Sequence, residues 1–164
     1  MNMAGLRWRT GDPEASARHY EEALKLAREH GEAAHEAAAL ASLSVVYRDL
    51  GRLKESVRSG RAALELLRDV DDLQAEAYVL SSLAESYQGL GRYPSALSCL
   101  KRSLRLRRKI GDKEGEVGVL HDLAKVYEDL GDTDPARKAR EEAARKEETS
   151  GEAWEAVPTV ESRN

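Results

Sequence analysis

The chain has 164 residues, with 26 Lys+Arg against 30 Asp+Glu, a formal net charge of −4 and 41% hydrophobic residues. No apolar run approaches the roughly 20 residues that cross a bilayer, and the first ten residues hold no apolar stretch of signal-peptide length. The lone Cys99 allows neither an internal disulfide nor a cysteine-rich zinc site, so a soluble, reducing, cytoplasmic setting is expected.

In chain order the elements repeat every forty residues. Leu50-Gly51-Arg52 returns as Leu90-Gly91-Arg92 and as Leu130-Gly131-Asp132, and one step earlier stands Gly11. Tyr47, Tyr87 and Tyr127 keep the same phase, as do Leu43, Leu83 and Leu123, and Leu40, Leu80 and Leu120. The partial first unit, 1–31, supplies half of a first helix and then a second helix opening at Asp12-Pro13. Aspartate there predicts an N-cap, and proline in the first turn removes an N–H that would have had no partner. In the unit 32–71, Ala33, Ala37, Leu40, Leu43, Val46 and Tyr47 recur at spacings of three and four, which predicts a first helix over about Glu32–Asp49. Gly51 ends it, and a second helix follows over about Leu53–Arg68 with Val57, Leu64, Leu66 and Leu67 apolar. The units 72–111 and 112–151 repeat the plan, with Pro94 and Pro135 in first turns and Asp134 as another expected N-cap. Gly31, Asp71, Gly111 and Gly151 close the second helices. Glu152–Val157 begins a short capping segment, with Trp154 as a candidate lid, before Pro158 and a polar tail, 158–164.

Small residues recur where two helices must approach. Ser44, Ala84 and Ala124 share one phase; Ser56, Ala96 and Ala136 share another, as do Ala23, Ala63, Ser103 and Ala143. One hairpin cannot bury its apolar face alone, whereas stacked copies bury a continuous core. The expected fold is therefore all-α: a right-handed α-solenoid of about four antiparallel helix hairpins, forming a single domain over 1–157.

The string Leu80-x2-Leu83-Ala84-x2-Tyr87-x3-Gly91-x-Tyr93-x2-Ala96 resembles the tetratricopeptide repeat signature. The period exceeds the usual length of about 34. It is similar to the long-helix subclass of kinesin light chains and of the sensor regions of bacterial regulators. Arg7 and Thr10 depart from the pattern, and Gly60 and Arg140 stand where Tyr20 and Leu100 are bulky, so the outer repeats read as degenerate or capping units.

The resemblance implies a non-enzymatic module that binds a protein or peptide, as the sensing or docking part of a larger bacterial-type signalling or transcriptional regulator. It also implies a concave groove lined by first helices. Carried over by register, that groove takes Ala38, Ala41, Ser42, Val45, Arg48 and Asp49 from the second unit and Tyr78, Ser81, Ser82, Glu85, Gln88 and Gly89 from the third. The fourth unit adds Gly118, His121, Asp122, Lys125, Glu128 and Asp129, and Trp8 projects from the first. Tyr78 and Trp8 are the expected aromatic anchors. Where relatives place a peptide-clamping Asn, this chain has Ser42, Ser82 and Asp122.

No catalytic, cofactor or metal site is expected. His30 and His35 are poorly spaced as ligands, adjacent His121 and Asp122 point to different sides of a helix, and no phosphate loop or nucleophile elbow occurs. A basic run includes Lys101, Arg102, Arg105, Arg108 and Lys109, with no acidic residue between Glu85 and Asp112. It reads as a secondary docking patch for an acidic partner, or as a solvated face paired with neighbours. Two rival functions stay open: nucleic-acid binding, against which the acidic groove argues, and self-assembly through open solenoid ends.

Overall fold

The computed structural model describes residues 12–155, with side chains described through Thr149. Among the described residues seven helices follow one another: α1 (Pro13–His30), α2 (Ala33–Asp49), α3 (Leu53–Leu67), α4 (Leu73–Gly89), α5 (Tyr93–Ile110), α6 (Lys113–Asp129) and α7 (Thr133–Glu155). There is no strand among the described residues. Each helix packs on its chain neighbours, and α2 also meets α4, the first helix of the next unit. This is an all-α helical-repeat solenoid. The expected residues 1–11 of the first unit, Trp8 included, lie outside the described residues.

Local chemistry sets the boundaries. Gly51, Gly91 and Gly131 all take positive φ (72°, 68° and 79°), a conformation that costs glycine nothing sterically. The turn they form is the same each time: the next residue's N–H reaches back to the carbonyl of Tyr47, Tyr87 or Tyr127 at 2.8 Å. Asp12 caps α1 as expected, accepting from the Ala15 N–H at 2.9 Å. Asp72 and Asp112, forty residues apart, do the same for α4 and α6.

Two boundary expectations are corrected. Asp134 is not an N-cap; α7 already starts at Thr133, and Asp134 lies in its first turn beside Arg137 at 3.6 Å. Gly151 does not close the last helix, since α7 continues through it to Glu155. An interior helical glycine costs only about 1 kcal/mol relative to alanine. Gly31 and Gly111, by contrast, take positive φ (69° and 72°) and return their N–H groups to the carbonyls of the helices they end.

The core runs as three linked clusters along the stack. Ala17, Leu43, Val46 and Tyr47 join units one and two; Ala37, Leu40, Ala63, Leu67, Val79 and Leu83 join two and three; Leu100, Leu104, Leu120, Leu123 and their neighbours join three and four. The small positions are sealed at the crossings, as Ser44, Ser56, Ala63, Ala96, Ser103 and Ala143 show. The hydroxyls among them are paired. Ser56 Oγ donates to the Ser44 carbonyl at 2.6 Å and meets Ser86 Oγ at 2.7 Å, while Ser103 Oγ donates to the Ala77 carbonyl at 2.8 Å. Gly60 proves to be a packing residue rather than a lapse in the pattern. A Cβ there would sit 2.8 Å from Leu83 Cγ and 2.9 Å from Ser44 Oγ. Arg140, by contrast, is exposed and pairs with Glu128 at 2.6 Å.

Candidate functional site

The exposed stripes of α2, α4 and α6 form one face, because these helices occupy the same register in successive units. On α2, Ala38 and Asp49 are exposed, and Ala41, Ser42, Val45 and Arg48 are half-buried. On α4, Tyr78 is 52% exposed, Glu85 is exposed and Gln88 is half-buried. On α6, Gly118, His121, Lys125, Glu128 and Asp129 are exposed, and Asp122 is half-buried.

Polar contacts tie the face together across units. The Arg48 guanidinium bridges Asp49 at 2.8 Å and Glu85 at 3.0 Å, and Gln88 Nε2 donates to Asp129 Oδ2 at 2.5 Å. His121 Nε2 lies 3.0 Å from Glu147 Oε1 on α7. The carboxylates Asp49, Glu85, Asp122, Glu128 and Asp129 outnumber the cations Arg48 and Lys125 on these helices, even with Arg140 of α7 paired to Glu128. Burial raises the Glu85 carboxyl above the ordinary carboxylate range; Arg48 opposes that shift, and Asp122 and Asp49 add to it. Burial raises Asp122 likewise, against Lys125 and His121. The face therefore has surplus negative charge that its own cations do not fully offset.

Two register-based assignments need correction. Ser82 does not line this face. It is 3% exposed, because α2 and α4 approach closely enough for its hydroxyl to meet Ser44 Oγ at 3.4 Å. Ser81 is half-buried and turns its hydroxyl onto Ser103 Oγ at 3.0 Å, toward its own hairpin partner.

The basic run is largely engaged within the fold. Arg102 pairs with Glu76 at 2.5 Å, and Lys101 lies 5.7 Å from the centroid of the Tyr127 ring. Arg108 reaches Glu142 at 2.5 Å and Glu116 at 3.5 Å. Arg105 and Lys109 are exposed. Among the described residues Glu116 is the one buried charged side chain. Its Oε2 lacks a hydrogen bond of good geometry but lies 2.8 Å from Lys146 Nζ, which supplies the compensating charge. Cys99 is half-buried, and burial pushes its thiol up, away from the reactive thiolate. Among the described residues no three His, Cys, Asp or Glu side chains converge to hold a metal, and no helix is long and apolar enough to cross a membrane.

Sequence reasoning missed a cavity of about 460 Å³ at the N-terminal edge, between α1 and the start of α2. The exposed Leu26 and Ala23 on its wall stand in register with Leu66 and the fully buried Ala63. That contrast was available in the repeat alignment.

The sequence profile of the tetratricopeptide repeat family matches residues 1–69 and 74–145. The chain belongs to this family. Tetratricopeptide repeat arrays generally mediate protein–protein interactions and are typically non-catalytic. Solved structures agree on the fold. BtubC (BKLC) from P. vanneervenii superimposes with a TM-score of 0.84 at 23% identity; the match covers 99% of this chain and 65% of that one, so this chain spans less than two thirds of its length. The repeats of a putative kinesin light chain from Podosopora anserina give 0.77 at 16% identity, covering 92% and 74%. The tetratricopeptide repeat domain of Arabidopsis FLU gives 0.67 at 20% identity, covering 71% and 98%. None of the curated proteins matches the chain in sequence.

Proposed function

We propose that these repeats form a non-enzymatic interaction module that holds a basic peptide or helix of a partner protein in the concave groove formed by α2, α4 and α6. The observation that carries this reading is the carboxylate-rich face across three units, where Asp49 and Glu85 share the one guanidinium of Arg48 and Asp122 is half-buried beside them. A Lys or Arg of the guest would supply the missing charge, and such complementarity contributes to specificity and association rate. Tyr78, half exposed and rigid, suits an apolar residue of the same segment. The same charge pattern opposes a polyanion, which favours protein over nucleic acid. The module serves as the sensing or docking part of a larger bacterial-type signalling or transcriptional regulator in the cytoplasm, a context supported by its long-helix repeat subclass.

Selection of random displayed peptides on the immobilised chain tests the reading. Binders are expected to converge on segments with two or more basic residues beside a large apolar one. Tyr78→Ala combined with Glu85→Lys is expected to weaken them at least tenfold with unchanged helicity. An acidic consensus, or binders indifferent to the double substitution, would refute it.

A further inference from the structure

The second helices of the outer and the middle units handle their charges differently. On α1 the solvent-facing registers alternate in sign, as Glu14, Arg18 and Glu21, and on α7 the same registers are Asp134, Lys138 and Glu141. Both helices also neutralise charge within themselves: Lys25 pairs with Glu29 at 3.8 Å, and Arg137 with Glu141 at 2.6 Å. On α3 those three registers are Lys54, Arg58 and Arg61, all exposed. The neighbouring Glu55 is taken by Arg52 at 2.6 Å. On α5, Lys101, Arg105 and Lys109 are exposed four residues apart, and the helix contains no acidic residue. Among the described residues Lys54, Arg58, Arg61, Arg105 and Lys109 make no ion pair. Like charges three or four residues apart on a helix repel. Two adjacent second helices thus share a basic stripe that the fold does not neutralise. Arg102 and Arg108 do not belong to it, because Glu76, Glu116 and Glu142 engage them.

The stripe is not charge alone. Lys54, Val57, Arg58, Arg61, Ala62 and Glu65 surround a recess of about 290 Å³ on α3. Val57 and Ala62 are half-buried and form its apolar floor, while three cations and one carboxylate form the rim.

We propose that the outer face of α3, extended by Arg105 and Lys109 of α5, docks an acidic segment of a partner protein that carries an apolar side chain among its carboxylates. The carboxylates supply the counter-charge that both helices lack, and the apolar side chain covers Val57 and Ala62. Two features favour such a segment over a phosphate polyanion. The apolar floor offers nothing to a sugar–phosphate backbone, and Glu65 on the rim, with the net charge of −4, repels one. The stripe lies on second helices, apart from Glu85 and Asp122, and does not depend on the groove reading.

The test uses the complete chain and, as probe, a blocked peptide of two Glu-Asp-Leu-Glu-Glu-Asp repeats. It is run at about 0.15 M salt, where charges more than about 8 Å apart are largely screened. Titration followed by amide NMR shifts is expected to saturate, with the largest shifts at Val57, Arg58, Arg61 and Ala62 and smaller ones at Arg105. Arg58→Glu with Arg61→Glu, both at exposed positions, is expected to weaken binding at least tenfold with unchanged helicity. Serine in place of both probe leucines is expected to weaken it about threefold or more. Tyr78→Ala with Glu85→Lys is expected to leave it unchanged. Absence of saturable shifts, shifts confined to α2, α4 and α6, or binding indifferent to the charge reversal would overturn the proposal. A serine probe that binds as well as its parent, or an oligothymidylate of equal charge that binds more tightly, would assign the stripe to polyanions and overturn it too. So would self-association of the chain that the charge reversal dissolves, which would assign the stripe to a second copy.

Discussion

Gly60→Ala is expected to destabilise the chain although alanine is the better helix former. Propensity alone favours alanine by about 0.8–1 kcal/mol. Gly60, however, sits in α3 where α2 and α4 cross, and the added methyl would stand 2.8 Å from Leu83 Cγ, 2.9 Å from Leu83 Cδ2 and 2.9 Å from Ser44 Oγ. Leu83 is 1% exposed and Ser44 is fully buried, so neither can move aside into solvent. Overpacking of this kind costs about 1–3 kcal/mol, leaving a net loss of about 1 kcal/mol. Gly118 provides the control. It is helical and exposed, and a Cβ there meets nothing within 4 Å, so Gly118→Ala should stabilise by about 1 kcal/mol. Urea unfolding followed at 222 nm measures both. On a Leu83→Ala background most of the Gly60→Ala penalty should vanish, because of the three close atoms only Ser44 Oγ remains. If Gly60→Ala stabilises as much as Gly118→Ala does, the packing explanation of that glycine is wrong.

Two further outcomes follow from the buried polar groups. Tyr47 donates to Glu21 at 2.6 Å, and burial, then that bond, push its phenol up to about 12. The fold holds the neutral phenol, so its contribution is intact below the ordinary tyrosine value of about 10 and is lost as pH climbs through about 12. Ultraviolet titration should show one tyrosine ionising late and lose that step in Tyr47→Phe; six indistinguishable tyrosines would contradict this. Lys146→Met should cost about 2 kcal/mol by thermal or urea unfolding, because it leaves the buried Glu116 carboxylate with only the more distant Arg108. A neutral substitution would mean that Glu116 is already compensated elsewhere.

The forty-residue phase was enough to read seven helices, their glycine turns, the Asp12 cap and the small residues at the crossings. These are local matters: positive φ, a side chain accepting from its own helix, and apolar spacing each act within a few residues. Where the chain alone misled, a partner distant in sequence decided. Ser82 shares its register with Ser42 and Asp122, yet α2 closes over it. Gly60 looks like a lapse until Leu83 fills the space its missing side chain leaves. Gly151 shares its register with Gly31 and Gly111, yet α7 runs through it to Glu155. The basic run from Lys101 to Lys109 is a cluster along the chain, while in space Glu76, Glu116, Glu142 and the Tyr127 ring engage much of it. Periodicity therefore determined which units exist and that they stack, because volume and backbone freedom repeat with the sequence. Which surfaces remain open and charged was left to the tertiary structure, because burial at each position is set by side chains from the neighbouring repeat.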